Sequence, residues 1–357
     1  MKYTVNPFII FYYSIKRKKL MLFEPINKKV FELRQDFFFD LLDYCEKGRE
    51  KTSIVKKIVQ LLSDGNPNAY VIIEDLIKSN LLLKQDRTLK KNIEKSSEWF
   101  SYGWGSSFYY HLASKDFKFL DYSIENEVLK DQKLMKTYLN ESLPPPIYKE
   151  YKNNKFYPLL PISEFEEVKF PPHGTLTKKL NKQKLSYMLY LTFGEIFSAN
   201  FPIVGKILAK TSPSGGARHP SEAYILLLKN LDNIPAGVYH YSVKRNGLEY
   251  LTSLGSITKT KKYFYKTSHV KDFNAEVIIV ISSIFERNMW RYREIRTFRV
   301  IFLDIGHLLS TLRIITKSLG MDVLINHSFD DYLVQKLLGL TTGKERPLYC
   351  AIIGKYK

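Results

Sequence analysis

Cysteine is nearly missing from this chain of 357 residues: only Cys45 and Cys350 occur, far apart and without a partner at redox or metal-ligand spacing. A disulfide scaffold and a zinc ribbon are therefore excluded, and both thiols read as reduced core residues. Histidine is sparse too, at seven, and no two form a metal-spaced pair with a carboxylate one helical turn away, so no metal site is expected. No apolar run approaches the roughly 18 residues of a membrane span. The run Phe8 to Tyr13 is too short for a signal core and leads into Lys16-Arg17-Lys18-Lys19 without a small-residue cleavage site, which makes a reducing cytoplasm the expected location. Acidic residues are the last scarcity, 36 against 55 basic ones for a net charge of +19. That surplus attracts anions over a Debye length, yet it serves a plain solvated surface as well as phosphate groups or acidic peptides. Nucleic acid is not the expected partner, since no zinc-finger, RRM or basic-zipper pattern is present.

What the chain has in plenty is aromatic residues, 25 Tyr and 23 Phe, and enough length for two cores. Alternating apolar residues in Leu20 to Pro25 and Lys29 to Leu33 predict a hairpin. Helical stripes follow at Phe37, Phe38, Leu41, Leu42 and Cys45, at Ile54, Val55, Ile58, Val59 and Leu62, and at Val71, Ile72, Leu76 and Ile77. Residues 1–84 thus form a first, winged-helix-like unit, for which an anonymous helical cap is the competing reading. Residues 85–183 read as a linker and aromatic segment: Lys90-Lys91-Asn92 and Lys95-Ser96-Ser97 look like linker, Trp99 to Trp104 is aromatic, and Pro144-Pro145-Pro146 cannot continue a helix. From 184 to 357 the pattern is α+β. A helix covers Leu185 to Phe193, buried strands cover Ala223 to Leu228 and Val277 to Ser282, and a hairpin turns through Lys244-Arg245-Asn246-Gly247. A long helix places Ile301, Ile305, Leu308, Leu312, Ile315 and Leu319 on one stripe and stops at Gly320. A short helix at Asp330 to Leu338 and a last strand at Leu348 to Ile353 complete the pattern.

The sharpest chemical signal is Thr211-Ser212-Pro213-Ser214-Gly215-Gly216-Ala217-Arg218-His219-Pro220. Two adjacent glycines free the backbone of Cβ atoms, so a planar ring or a phosphate can approach main-chain amides. The serines add hydroxyls and Arg218 a permanent cation. On these grounds it is a ligand-cradling loop, with a plain Gly-rich turn as its rival. Asp304 and His307 share a helix face, where His307 reads as a packed residue, while His219 and Glu222 stand at the loop edge with either a ligand-contacting or a structural role.

The string from Ser212 to Tyr224 resembles the flavin loop of SagB-type dehydrogenases in the nitroreductase superfamily, and the resemblance continues through Gly237 to Tyr241, Trp290-Arg291-Tyr292 and Leu303 to Leu308. It implies a nitroreductase-like fold with a central mixed or antiparallel sheet flanked by helices, and a homodimer whose interface encloses FMN. It also implies oxidation of azoline rings to thiazole or oxazole in a ribosomally made peptide. The cofactor would be held by Ser212, Pro213, Ser214, Gly215, Gly216 and Arg218, with Thr175 as the remnant of a phosphate-binding Arg-Arg-Ser/Thr element and Lys355 among the cations that could replace its arginines. Lys178, Lys179, Lys210 and Lys357 are the other replacements. Arg291 and Tyr292 stand where the family has a catalytic Lys-Tyr pair, and an arginine cannot surrender its proton as a lysine can. The first 84 residues resemble PqqD-like winged domains that hold leader peptides, so a precursor peptide and a cyclodehydratase complex are the implied partners. An NAD(P)H-dependent flavin reductase or nitroreductase, and a flavin-free scaffold, are the alternative functions.

Overall fold

The computed structural model describes residues 1–356 apart from 34–36, 63–67, 166–178, 202, 204, 266–269, 271, 341 and 342. Thr175, Lys178 and Lys357 therefore lie outside the described residues. The chain divides into two compact units, Met1–Lys118 and Phe119–Lys357.

In the first unit, strands β1 (Lys2–Val5), β2 (Ile10–Ser14), β3 (Lys19–Glu24) and β4 (Lys29–Glu32) precede helix α1 (Phe37–Cys45). Strand β5 (Arg49–Glu50), helices α2 (Lys51–Leu61) and α3 (Ala69–Lys78), strand β6 (Leu82–Lys84), and helices α4 (Arg87–Ser101) and α5 (Gly105–Ser114) follow. The expected hairpin is β3 with β4, to which β2 adds a third strand, while β1 sits between β5 and β6 in a second small sheet. The hairpin turn is tied by buried Glu24, whose carboxylate accepts from the amides of Ile26 at 3.0 Å and Asn27 at 2.8 Å. The helical stripes converge in part: Leu41, Cys45, Ile54 and Ile58 meet in one core, whereas Val59 and Val71 are exposed and Ile73, outside the expected stripe, takes the buried position on α3. The lysine-rich stretch around residues 90–97, which reads as linker, is instead the middle of α4. Asp86 caps that helix by accepting from Leu89 N at 2.9 Å, and an N-cap acceptor of this kind is what starts a helix in a polar sequence.

The second unit contains α6 (Glu125–Glu141), β7 (Phe156–Pro158), α7 (Lys182–Phe193), the hairpin β8 (Glu195–Phe201) and β9 (Gly205–Lys210), β10 (Ser221–Leu227), β11 (Gly237–Ser242) and β12 (Gly247–Thr252). Next come α8 (Ile257–Lys262), β13 (Phe273–Ile284), α9 (Glu286–Met289), α10 (Thr297–Ser318), β14 (Asp322–Asn326), α11 (Asp331–Leu337) and β15 (Glu345–Tyr356). Seven strands form one sheet in the order β14-β15-β13-β10-β11-β12-β7. Every neighbouring pair in it is antiparallel. Because side chains alternate across a strand, Ala223, Ile225 and Leu227 pack with α7 and α10 on one face. On the other face Tyr224 and Leu226 pack with Phe264, Phe329 and Val334. Both faces being covered explains why β10 and β13 read as continuous apolar runs rather than alternating ones.

Candidate functional site

The loop Ser212 to His219 enters from β9 and feeds β10 of the central sheet. Asp304, 2% exposed on α10, holds it: one carboxylate oxygen accepts from Ser214 Oγ at 2.6 Å and the other from Gly215 N at 3.0 Å. Burial drives the Asp304 pKa up, against these two bonds and nearby His307. Ser214 Oγ in turn accepts from His219 N at 3.0 Å, Ser214 O accepts from Ala217 N at 3.0 Å, and Ser212 Oγ donates to Thr192 O at 2.8 Å. Gly216, Ala217 and His219 all take left-handed φ, at 62°, 52° and 45°. Two of these are not glycine, a cost tolerated where the surroundings over-determine the backbone.

The two glycines serve closer packing than open space. A Cβ on Gly215 would overlap Val300 Cγ1 of α10, and one on Gly216 would overlap the Tyr292 hydroxyl. On this side, then, the atoms that approach the loop belong to the chain itself. Arg218, half-buried, donates from Nε to Gly216 O at 3.1 Å, and burial lowers its pKa against the pull of Tyr292. Exposed Pro213 accepts a long contact from His307 Nδ1 at 3.4 Å through its carbonyl.

Arg291 and Tyr292 follow α9, where Tyr292 N donates to Asn288 O at 2.8 Å. Arg291 Nη2 binds both oxygens of Asp131 on α6, at 2.8 and 2.7 Å, with its guanidinium 4.7 Å from the Tyr292 ring centre. Burial opposes its charge, but Asp131 and Tyr292 outweigh burial and hold its pKa above the ordinary value. Neighbouring side chains are strapped to the same helix: Arg293 pairs with Glu141 and Trp290 Nε1 donates to Ser142 O at 3.1 Å. Asp131 was missed by sequence reasoning, and Asp304, though noted beside His307, was given no role in the loop. Asp304 carried a signal, a carboxylate inside the apolar stripe of a long helix. Asp131 carried none, because its partner is 160 residues away.

The loop's far end is fixed by a buried ionic chain. Arg287 donates to His219 O at 2.9 Å and pairs with Glu222 at 2.5 Å; Glu222 meets His240 Nε2 at 2.9 Å, His240 Nδ1 meets Glu249 at 2.8 Å, and Glu249 meets Arg245 at 2.7 Å. Burial works against the charges of Glu222, His240 and Glu249. Even so, Arg287 and His240 bring Glu222 down to about 2, and the two carboxylates raise the His240 pKa. His219 is the opposite case, pushed down to about 3 by burial and by Lys210, with its Nε2 at 3.0 Å from Leu208 O. Its structural role and that of Glu222 are thus explicit. Lys355 lies elsewhere. Ser221 pairs with Ser283 and Ser283 with Arg346, whereas Lys355 is nine positions further along β15, opposite Asn274, or ~30 Å from the loop at strand rise. Beside it is buried Lys184 of α7, whose pKa is lowered by burial and then by Lys355, partly offset by Glu276. Among the described residues no group of His, Cys, Asp and Glu could hold a metal ion, and no helix is long and apolar enough to cross a membrane.

Comparison with known proteins adds the lineage. The chain is 28% identical over 263 residues to the trifolitoxin-processing protein TfxB of Rhizobium leguminosarum bv. trifolii, covering 70% of each. It is 29% identical over 166 residues to TfxF of the same organism, covering 42% of this chain and 55% of TfxF. A chain in the E. coli microcin synthetase McbBCD complex with truncated pro-MccB17 bound superposes with a TM-score of 0.43 at 19% identity, covering 62% of this chain and 81% of that one. The nitroreductase family model matches residues 178–355, and this part of the chain is a domain of the nitroreductase family.

Proposed function

We propose that the chain is an FMN-dependent dehydrogenase of the SagB type, oxidising azoline rings in a ribosomally made peptide. The observation that carries this reading is the convergence, at one glycine loop clamped by Asp304, of the Tyr292 phenol and the Arg218 guanidinium. A proton-bearing hydroxyl beside a fixed cation is what a dehydrogenation site needs around a flavin ring. Peptide maturation as the setting is supported by the relative TfxB, which is named for trifolitoxin processing.

The residues present fit FMN at two places. The loop offers exposed Pro213 and the half-buried Arg218 guanidinium to the ring and its side chain, while the hydroxyls of Ser212 and Ser214, bonded to Thr192 O and Asp304, hold the loop in shape. Lys184 and Lys355, two cations pressed together in the first turn of α7 and at the end of β15, offer the charge that a phosphate neutralises, at the helix end that favours anions. They take over the work of the missing arginines. Since ~30 Å of strand separates Lys355 from the loop, one FMN reaches both only if a second copy of the chain supplies one of them, which supports a homodimer with shared pockets. FMN would supply the two-electron acceptance, taking a hydride equivalent from a ring carbon. Gly215 and Gly216 keep Val300 and Tyr292 close, and Asp304, accepting from Ser214 and Gly215, fixes the loop so that it need not reorganise. Residues 1–84 would hold the leader of the precursor peptide, with a cyclodehydratase supplying the azoline.

Titrating the protein with FMN tests the reading. Shifted flavin absorption bands, a raised melting temperature and oxidation of an azoline peptide are expected. Saturating FMN without spectral change or stabilisation would leave the scaffold alternative, and rapid NADH oxidation without peptide would favour the flavin reductase.

A further inference from the structure

The Arg291 position cannot take a proton, because its guanidinium is fully charged and spent on Asp131. A dehydrogenation releases one proton along with each hydride, so the site needs another acceptor. Beneath the loop is a cavity of about 10 Å³ lined by Lys210, Ser212, Ser214, His219, Ser221 and Asp304, with Phe193 and Leu308 as its apolar wall. That is room for one water. Its wall contains an unsatisfied group. Ser221 Oγ is buried and has no hydrogen-bond partner, a condition that costs free energy unless a water completes it. Lys210, at the end of β9, supplies the amine among the residues lining the same cavity.

We infer that Lys210 is the proton acceptor of this site, reached through a single water held in the cavity between its amine and Ser221 Oγ. The inference rests on the dehydrogenase reading above and adds the group that reading lacks. The substrate C–H bond that is not lost as hydride breaks, its electron pair becomes the new ring double bond, and its proton passes through the water to the lone pair of Lys210 Nζ. The groups facing the amine set its state. Burial disfavours the ammonium, Glu222 on β10 favours it, Arg287 on α9 opposes it, and Glu195 on the paired β8 strand favours it, leaving Lys210 at about 8. His219 is neutral beside it and Asp304 is engaged with Ser214 and Gly215. An ordinary lysine, with a pKa of roughly 10.4, is almost entirely protonated at neutral pH. With its pKa depressed, this one holds a usable neutral fraction there.

The test is competitive labelling of the full-length protein with trace acetic anhydride across a pH series, read by mass spectrometry on the peptide containing Lys210, beside turnover of the FMN-loaded protein. The Lys210 reactivity should titrate near pH 8, against roughly 10.4 for surface lysines. Lys210→Met and Lys210→Arg should still bind FMN by absorbance titration but oxidise an azoline peptide at least about 100-fold more slowly, with the wild-type rise in rate towards pH 8 gone. An ordinary lysine midpoint, absence of labelling at any pH, or a Lys210→Arg protein with wild-type rate and pH profile would overturn the inference while leaving the FMN reading intact. A wild-type protein that takes up no FMN would sink both.

Discussion

The Tyr292 hydroxyl lies against the Cα of Gly216, so close that no side chain fits between them. Two motifs separated by more than 70 residues are thereby one structural object, and the left-handed φ of 62° at Gly216 is part of it. Gly216→Ala should cost about 1–2 kcal/mol from the backbone alone, and more from the clash. In a Tyr292→Phe background, where the hydroxyl is gone, the same substitution should cost less by at least ~0.5 kcal/mol. Urea denaturation of the four proteins of this cycle measures it; equal costs in both backgrounds would mean that the phenol is not what Gly216 accommodates.

The Asp131 pair makes a second expectation. Both side chains are about nine-tenths buried, so Asp131→Ala leaves a desolvated guanidinium behind, and breaking a buried pair this way costs about 3–5 kcal/mol. Asp131→Ala/Arg291→Ala should recover part of the loss. Thermal melts and hydrogen exchange over α6 report it, and a double variant no more stable than Asp131→Ala would contradict the pairing.

His240 gives a pH dependence. Its pKa is raised above the ordinary 6.5, burial notwithstanding, by Glu222 and Glu249. The raised value means that the folded state binds the proton more tightly than the unfolded chain. The stabilisation is complete below pH 6.5 and is lost as pH rises through the elevated folded value. The melting temperature should therefore fall across that alkaline window, and in His240→Gln this part of the slope should vanish, together with roughly 3 kcal/mol of stability from two carboxylates left without their cation. A wild-type profile flat above pH 6.5 would refute it.

A fourth expectation concerns assembly. If Lys355 of one chain and the Ser212 loop of another share an FMN, the protein is a dimer at micromolar concentration by sedimentation, and Lys184→Ala and Lys355→Ala each weaken FMN binding by about tenfold, the effect of ~1.4 kcal/mol. A monomeric mass, or unchanged FMN affinity in both variants, would remove the shared pocket.

Much of the fold was legible because it is written in periodicity: the apolar stripe of α10 and its stop at Gly320, the runs of β10 and β13, and the turn at Asn246-Gly247 all stand where spacing puts them. The β8–β9 hairpin and β14 were not, since Glu195 to Lys210 keeps much of its apolar surface exposed and gives no buried face to alternate. The site was half legible. The loop announced itself through glycine and serine, but the reason for its glycines is Val300 and Tyr292, which only tertiary packing brings near. Asp131 draws its role from a partner 160 residues away, which local patterns do not encode.

The straps from α6 to Trp290, Arg291 and Arg293 also set where this protein can be cut. A fragment beginning at residue 178, where the family likeness begins, would lose Asp131, Glu141 and Ser142 and turn three large side chains beside Tyr292 out to solvent. The compact unit that keeps these straps accordingly starts near residue 119, some sixty residues ahead of the recognisable homology, and grafting this site onto another nitroreductase scaffold would require transplanting α6 as well.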